Sequence, residues 1–142
     1  MVFFAVSALW GVAACLLLVW AWVVIRINKE RFERLHRRVL TVMTSGGWAF
    51  VLFYLFGVRL RSNRASVPPE IAPWLAAHGA IALMTLFGAT ILVWARLTGR
   101  GDRDPLIFRA RLNASHAGYG RVVALLWLLS HLGGIFNLYL IG

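Results

Sequence analysis

Four long apolar runs dominate this chain. They cover residues 2–25, 39–58, 71–95 and 114–141, and the last carries one charge, Arg121, near its start. Crossing a bilayer takes roughly 20 apolar residues, so each run is long enough to span one. Hydrocarbon offers no partner to a backbone amide, and each run is therefore expected as a helix that satisfies its own peptide groups. Hydrophobic residues make up 61% of the 142 and charged residues only 14%. Soluble domains average about 25% charged and under about 50% apolar, so the surplus apolar surface needs lipid as its solvent. The expected fold is all-α: a single transmembrane domain, an integral membrane four-helix up-down-up-down bundle over residues 1–142.

Charge placement gives the expected orientation. The formal net charge is +10, with 15 Lys and Arg, and Lys29 is the one lysine among them. Arg26, Lys29, Arg31, Arg34, Arg37 and Arg38 lie between runs one and two, and Arg96, Arg100, Arg103, Arg109 and Arg111 between runs three and four. The second connection holds only Arg59, Arg61 and Arg64. Basic segments between apolar runs mark cytoplasmic loops, which excludes a nucleic-acid partner as the meaning of the charge. Connections one and three are then cytoplasmic, and both termini face the outer, periplasmic side of a bacterial inner membrane that the chain crosses several times.

Local breakers refine the spans. Pro68, Pro69 and Pro73 stand before the third run, and Gly99, Gly101 and Pro105 interrupt the third connection. Asn28 to Arg38 has no breaker, so the second helix should project two or three turns beyond the lipid, with Glu30 and Arg34 spaced to pair. Val12-Ala13-Ala14-Cys15 resembles a lipoprotein cleavage box only in passing, because no basic segment precedes it and the apolar run continues past it.

The chemistry of this sequence lies in four histidines. Ionisable residues inside a membrane are costly to bury and mark functional positions, and imidazole is a common ligand of haem iron and copper. His36 and His116 open the second and fourth runs at the cytoplasmic side, whereas His78 and His131 lie toward the outer side of the third and fourth. His116 and His131 are 15 residues apart. That places them about 22 Å apart along a helix and about 60° apart around it, so both can face one bundle interior. Two layers of paired histidines resemble the layout of two-haem b-type membrane cytochromes.

Bundle geometry ranks the pairs. Neighbouring helices pack about 8–10 Å apart, and diagonal helices of a square roughly 13 Å apart, which leaves room for a porphyrin between facing imidazoles. Helices two and four are diagonal in an up-down-up-down bundle, so His36 with His116 forms the expected bis-imidazole haem site. His78 and His131 lie on adjacent helices and suit a small metal ion, a hydrogen-bonded pair or a haem held from a splayed helix. Arg121 is placed to pair a haem propionate or to snorkel to lipid phosphate. The bland alternatives are a solvated His36 and interhelical hydrogen bonds for His78 and His131.

Other signals are weaker. Gly46, Gly47, Gly88, Gly118, Gly120, Gly133 and Gly134 allow close approach of a flat cofactor or a neighbouring helix. Several of the seven tryptophans stand near span ends, as aromatic belts do. The acids Glu30, Glu33, Glu70, Asp102 and Asp104 are assigned to loops. No carboxylate pair, Cys–His couple or phosphate loop is visible, and no catalytic residue or independent catalytic activity is expected.

His36-Arg37-Arg38 leading to Tyr54, His78 in Trp74-Leu75-Ala76-Ala77-His78-Gly79, and His116 followed by Gly120, Trp127, Gly134 and Tyr139 form three blocks. Over about Glu33 to Leu140 they resemble the CtaM (YozB) family of small four-helix membrane proteins of haem-copper oxidase maturation. The resemblance implies a role in the terminal respiratory chain through His36, His78 and His116. His131 departs from it, because that family usually has a small or hydroxyl residue there.

The leading expectation is thus a haem b- or metal-binding membrane protein of a respiratory or photosynthetic electron-transfer chain. It would hold one or two haems, or copper, on His36, His116, His78 and His131. The alternatives are an assembly factor for a haem-copper cytochrome oxidase and a cofactor-free accessory subunit of a larger membrane complex.

Overall fold

A computed structural model gives the fold and describes residues 2–59, 69–99 and 105–141. The positions named above at Arg61, Arg64, Pro68, Arg100, Gly101, Asp102, Arg103 and Asp104 lie outside the described residues, as does the side chain of Tyr139. The chain forms α1 (Val2–Ile27), α2 (Lys29–Leu52), α3 (Ala72–Thr98), α4 (Ile107–Ala114) and α5 (His116–Ile141). The four long helices are apolar enough to cross a membrane, over Ala5–Ile27, Lys29–Phe56, Ala72–Thr98 and His116–Asn137. The chain is an all-α, multi-pass integral membrane protein. Its outer faces carry exposed Leu9, Leu16, Val42, Phe87, Leu125 and Leu129, which lipid solvates as readily as it solvates itself.

The four long helices form a closed square. α1 packs on α2 and α5, and α3 packs on α2 and α5. Among the described residues neither α1 with α3 nor α2 with α5 makes close backbone contact, so these two pairs are the diagonals. One end of the square carries the Arg-rich connections and is called here the basic end.

The connections differ from the sequence expectation in three ways. The first is a single residue: Asn28, in an extended conformation, ends α1 and caps α2 by accepting the Arg31 amide on its side chain. An Asn side chain satisfies an orphan N–H at a helix start, so no loop is needed. α2 starts at Lys29, as the breaker-free stretch from Asn28 to Arg38 predicts, so Glu30 and Glu33 lie on it and not in a loop, and Glu33 pairs with Arg96 of α3. The third connection contains the helix α4, followed by a one-residue break at Ser115 before α5, where Ala114 was expected to open the span. Asn113 of α4 ties back to α3 by donating to the Ala95 carbonyl at 3.0 Å. The second span ends in a π-helical stretch, Phe53–Arg59.

The middle of the bundle is sealed by a core of Ala14, Leu18, Met43, Leu86, Ala89 and Trp127, flanked by Trp10 and Trp48. Small residues admit the large ones: the Trp10 ring lies directly over Gly46, and Leu86 and Trp127 close over Gly47. The close-packing reading of the glycines holds for these two, and for Gly88 against Val123. Trp48 donates its indole N–H to Thr90, and Trp74 donates to Asn137, linking α2 to α3 and α3 to α5. Trp10, Trp48 and Trp127 are thus interior, while Trp20, Trp22, Trp74 and Trp94 are exposed in the manner of a belt. Gly46→Val should drive Cβ into the Trp10 ring and lower stability by about 1–3 kcal/mol, as overpacking does. Gly118→Ala, which meets nothing within 4 Å, should leave the midpoint of unfolding in a detergent–SDS titration unchanged.

Candidate functional site

Helical periodicity aligns the functional side chains. On α5, positions 116, 120, 123, 124 and 127 repeat at three- and four-residue spacing and line one cavity; positions 33, 36, 37, 40 and 44 do the same on α2. Residues so spaced share a helix face. Because α2 and α5 are diagonal, their two faces look at each other across a space that direct packing does not fill. The result is a cavity of about 550 Å³ at the basic end, within the range of about 300–1,000 Å³ typical of cofactor sites.

The structure brings His36 and His116 together on this cavity, within electrostatic reach of each other. His36 is half-buried while its neighbours Arg34, Leu35 and Arg38 are exposed. The solvated reading of His36 therefore fails. Its Nδ1–H donates to the Ala21 carbonyl of α1 at 3.1 Å. A carbonyl only accepts, so this bond fixes the tautomer and leaves Nε2 with a free lone pair, the usual preparation of a metal-binding imidazole.

The walls and the mouth differ in chemistry. Leu18, Leu40, Met43, Ala89, Leu92 and Val123 make the inner wall apolar. Arg26, Lys29, Arg37, Arg96 and Arg121 line the basic end, and Glu33 is the acid that lines it with them among the described residues. Arg121 lines the cavity, and its Nε–H donates to the Ala117 carbonyl of its own helix at 3.1 Å. Gly120 lines the cavity and would meet nothing within 4 Å at a Cβ, so it leaves open space instead of admitting a helix. Two polar atoms on cavity-lining residues, Trp127 Nε1 and Asn113 Oδ1, are buried without a hydrogen-bond partner among the described residues. Such an enclosure, apolar within and cationic at its rim, fits a flat amphiphile with anionic groups on one edge. Two imidazoles, of His36 and His116, line the same enclosure and are of the type that ligates a metal ion.

The other histidine layer is built differently. His78 of α3 rests on the bare backbone of α5, its ring filling the space over Gly133 and Gly134. His131 donates Nδ1–H to the Trp127 carbonyl at 2.9 Å and stacks on the Trp127 ring, 5.1 Å between centroids and 13° between planes. His78 and His131 are within electrostatic reach of each other. They lie on adjacent, closely packed helices, which suits a small ion or a shared proton better than a macrocycle. Among the described residues no three His, Cys, Asp or Glu side chains converge on one point. Cys15 is a free thiol midway along α1.

Sequence reasoning missed Trp127 as the cavity floor, Asn113 and the Glu33–Arg96 pair. The first had a signal. Trp127 stands eleven residues after His116, an offset of only about 20° around a helix, and four before His131. The other two depend on α4 and on the packing of α2 against α3, which no local pattern encodes.

Comparison with known protein families, with curated proteins and with solved structures finds nothing that matches this chain.

Trp127 is 4% exposed and joins the floor of the cavity to the core. Trp127→Ala should cost about 3–5 kcal/mol, as aromatic truncations in cores do. Trp20→Ala, an exposed ring that does not line the cavity, should change the same SDS-unfolding midpoint little.

Proposed function

We propose that this protein binds one haem of b type in the cavity at its basic end, and that it serves a respiratory or photosynthetic electron-transfer chain. The observation that carries the reading is the pair of imidazoles from diagonal helices, His36 and His116, on one cavity with apolar walls and an arginine rim. When bound, the haem supplies a one-electron centre. The chain's own residues would hold it: His36, oriented by Ala21, and His116 would ligate the iron, the apolar wall would exclude water, and Arg96 and Arg121 would pair with its carboxylates. His78 and His131 then serve a separate purpose, with a single cation such as copper as the alternative occupant of that pair.

A second reading uses the same cavity for transit rather than residence. The blocks around His36, His78 and His116 resemble the CtaM (YozB) family, and a cargo site in maturation of a haem-copper oxidase would need the same ligands and a rim open to exchange. By the positive-inside rule the basic end is read as the cytoplasmic face of a bacterial inner membrane.

The purified protein should show a b-type reduced-minus-oxidised spectrum and about one haem per chain by pyridine haemochrome, as one bis-imidazole site requires. His36→Ala or His116→Ala should remove it, while His78→Ala and His131→Ala should leave it in place. A colourless protein, also after incubation with haem, would overturn the reading and leave copper handling or a structural role, which metal analysis separates. For orientation, Lys29→Cys in a Cys15→Ser background should react with an impermeant maleimide only after the cells are opened. Glu70→Cys should react in intact spheroplasts.

A further inference from the structure

At the mouth of the cavity the chain already holds one carboxylate against one guanidinium. Glu33 Oε1 of α2 meets Arg96 Nη2 of α3 at 3.0 Å, with the two side chains 34% and 31% exposed. Both residues also line the cavity. The pair stands one turn from the ligand layer, because Glu33 precedes His36 by three residues on the same helix face.

The other cations of the mouth are engaged differently. The Arg26 guanidinium lies over the Trp22 ring, 4.5 Å from its centroid, and Arg121 bonds its own helix through Nε. Arg96 is held in an ion pair with Glu33. A partly desolvated guanidinium left without a counter-charge is costly. A carboxylate is the group that matches its planar fork of N–H donors.

We infer that Glu33 is a built-in stand-in for a carboxylate of the ligand. Arg96 is the receptor for that carboxylate, and Glu33 competes with it. The inference rests on the haem reading of the cavity and deepens it: the affinity depends on the carboxylate edge of the porphyrin as well as on its iron. With the cavity empty, Glu33 keeps Arg96 neutralised. On binding, a ligand carboxylate takes the Arg96 fork and Glu33 is released toward Lys29 and Arg37, each four residues from it on α2. Ligands lacking the carboxylates leave the Glu33–Arg96 pair intact and gain nothing from Arg96. The arrangement favours entry with the carboxylate edge outward at the basic end.

The test uses the detergent-solubilised full chain freed of haem and two metal-free probes, protoporphyrin IX and its dimethyl ester, with binding read by fluorescence. Removing the iron takes the histidine bonds out of the measurement. A hydrogen bond to a charged group contributes about 1.5–3 kcal/mol, and about 1.4 kcal/mol is tenfold in affinity. Glu33→Gln should therefore tighten the diacid about tenfold and leave the diester unchanged. Arg96→Gln should weaken the diacid by about the same factor, again without effect on the diester, and Arg96→Lys should restore part of the loss. In the Arg96→Gln background, Glu33→Gln should have no further effect. Unchanged helicity by circular dichroism and an unchanged gel-filtration volume would show that each variant folds. Equal wild-type affinity for diacid and diester, or a Glu33→Gln variant that binds the diacid no more tightly, would overturn this inference while leaving the haem reading intact. Wild-type protein that binds neither probe nor haem would overturn both.

Discussion

Every peptide group inside a hydrocarbon slab must find its hydrogen-bond partner within the chain. That constraint makes the four runs helical, and it extends to the polar side chains they carry. Thr41, Thr44, Thr85 and Thr90 each turn the hydroxyl back to the carbonyl four residues earlier. Thr90 then accepts from Trp48, and Asn137 accepts from Trp74. Such cross-helix bonds are individually modest in lipid, yet they fix which faces meet. Van der Waals packing does the rest, with Trp10 over Gly46 and Trp127 over Gly47.

A square of helices packs well along its edges and poorly across its diagonals. The core around Met43, Leu86 and Trp127 fills the diagonal gap at mid-membrane. Toward the basic end the side chains facing the gap become Ala89, Ala117, Gly120 and Ala124, and the gap opens into the cavity. These small residues and two histidines leave open the space between the larger Leu18, Leu40 and Leu92 of the wall. Retaining a cavity of this size in lipid sacrifices packing contacts on all sides of it. A ligand that fills it restores those contacts, so binding and stability are coupled through the same residues.

The two histidine layers stand in contrast. His36 and His116 face a space, whereas His78 and His131 face packed backbone and a tryptophan ring. Trp127 touches both surroundings: one side floors the cavity and its plane stacks on His131. Any event at the cavity floor is therefore one aromatic contact away from the second layer. The basic end adds directionality, because its cations gather at one mouth, with Glu33 lining it beside them.

The sequence by itself determined the helices, their number across the membrane and the two depths at which histidines occur. Apolar length and the period of a helix are local quantities, and they carry to the structure without reference to neighbours. The rise and angle from His116 to His131 follow from one helix alone. The diagonal relation of α2 and α5 follows from the up-down-up-down order of the four runs, in which each helix packs on its sequence neighbours. What only the tertiary structure decided is the difference between the layers. His78 meeting Gly133, Glu33 meeting Arg96 across two helices, α4 tucked under α3 through Asn113, and Trp127 closing the cavity each depend on side chains from separate helices arriving at one place. No periodicity within a single run records such an encounter, because it is set by the relative rotation and depth of two helices, and those are fixed by the packing of the whole square.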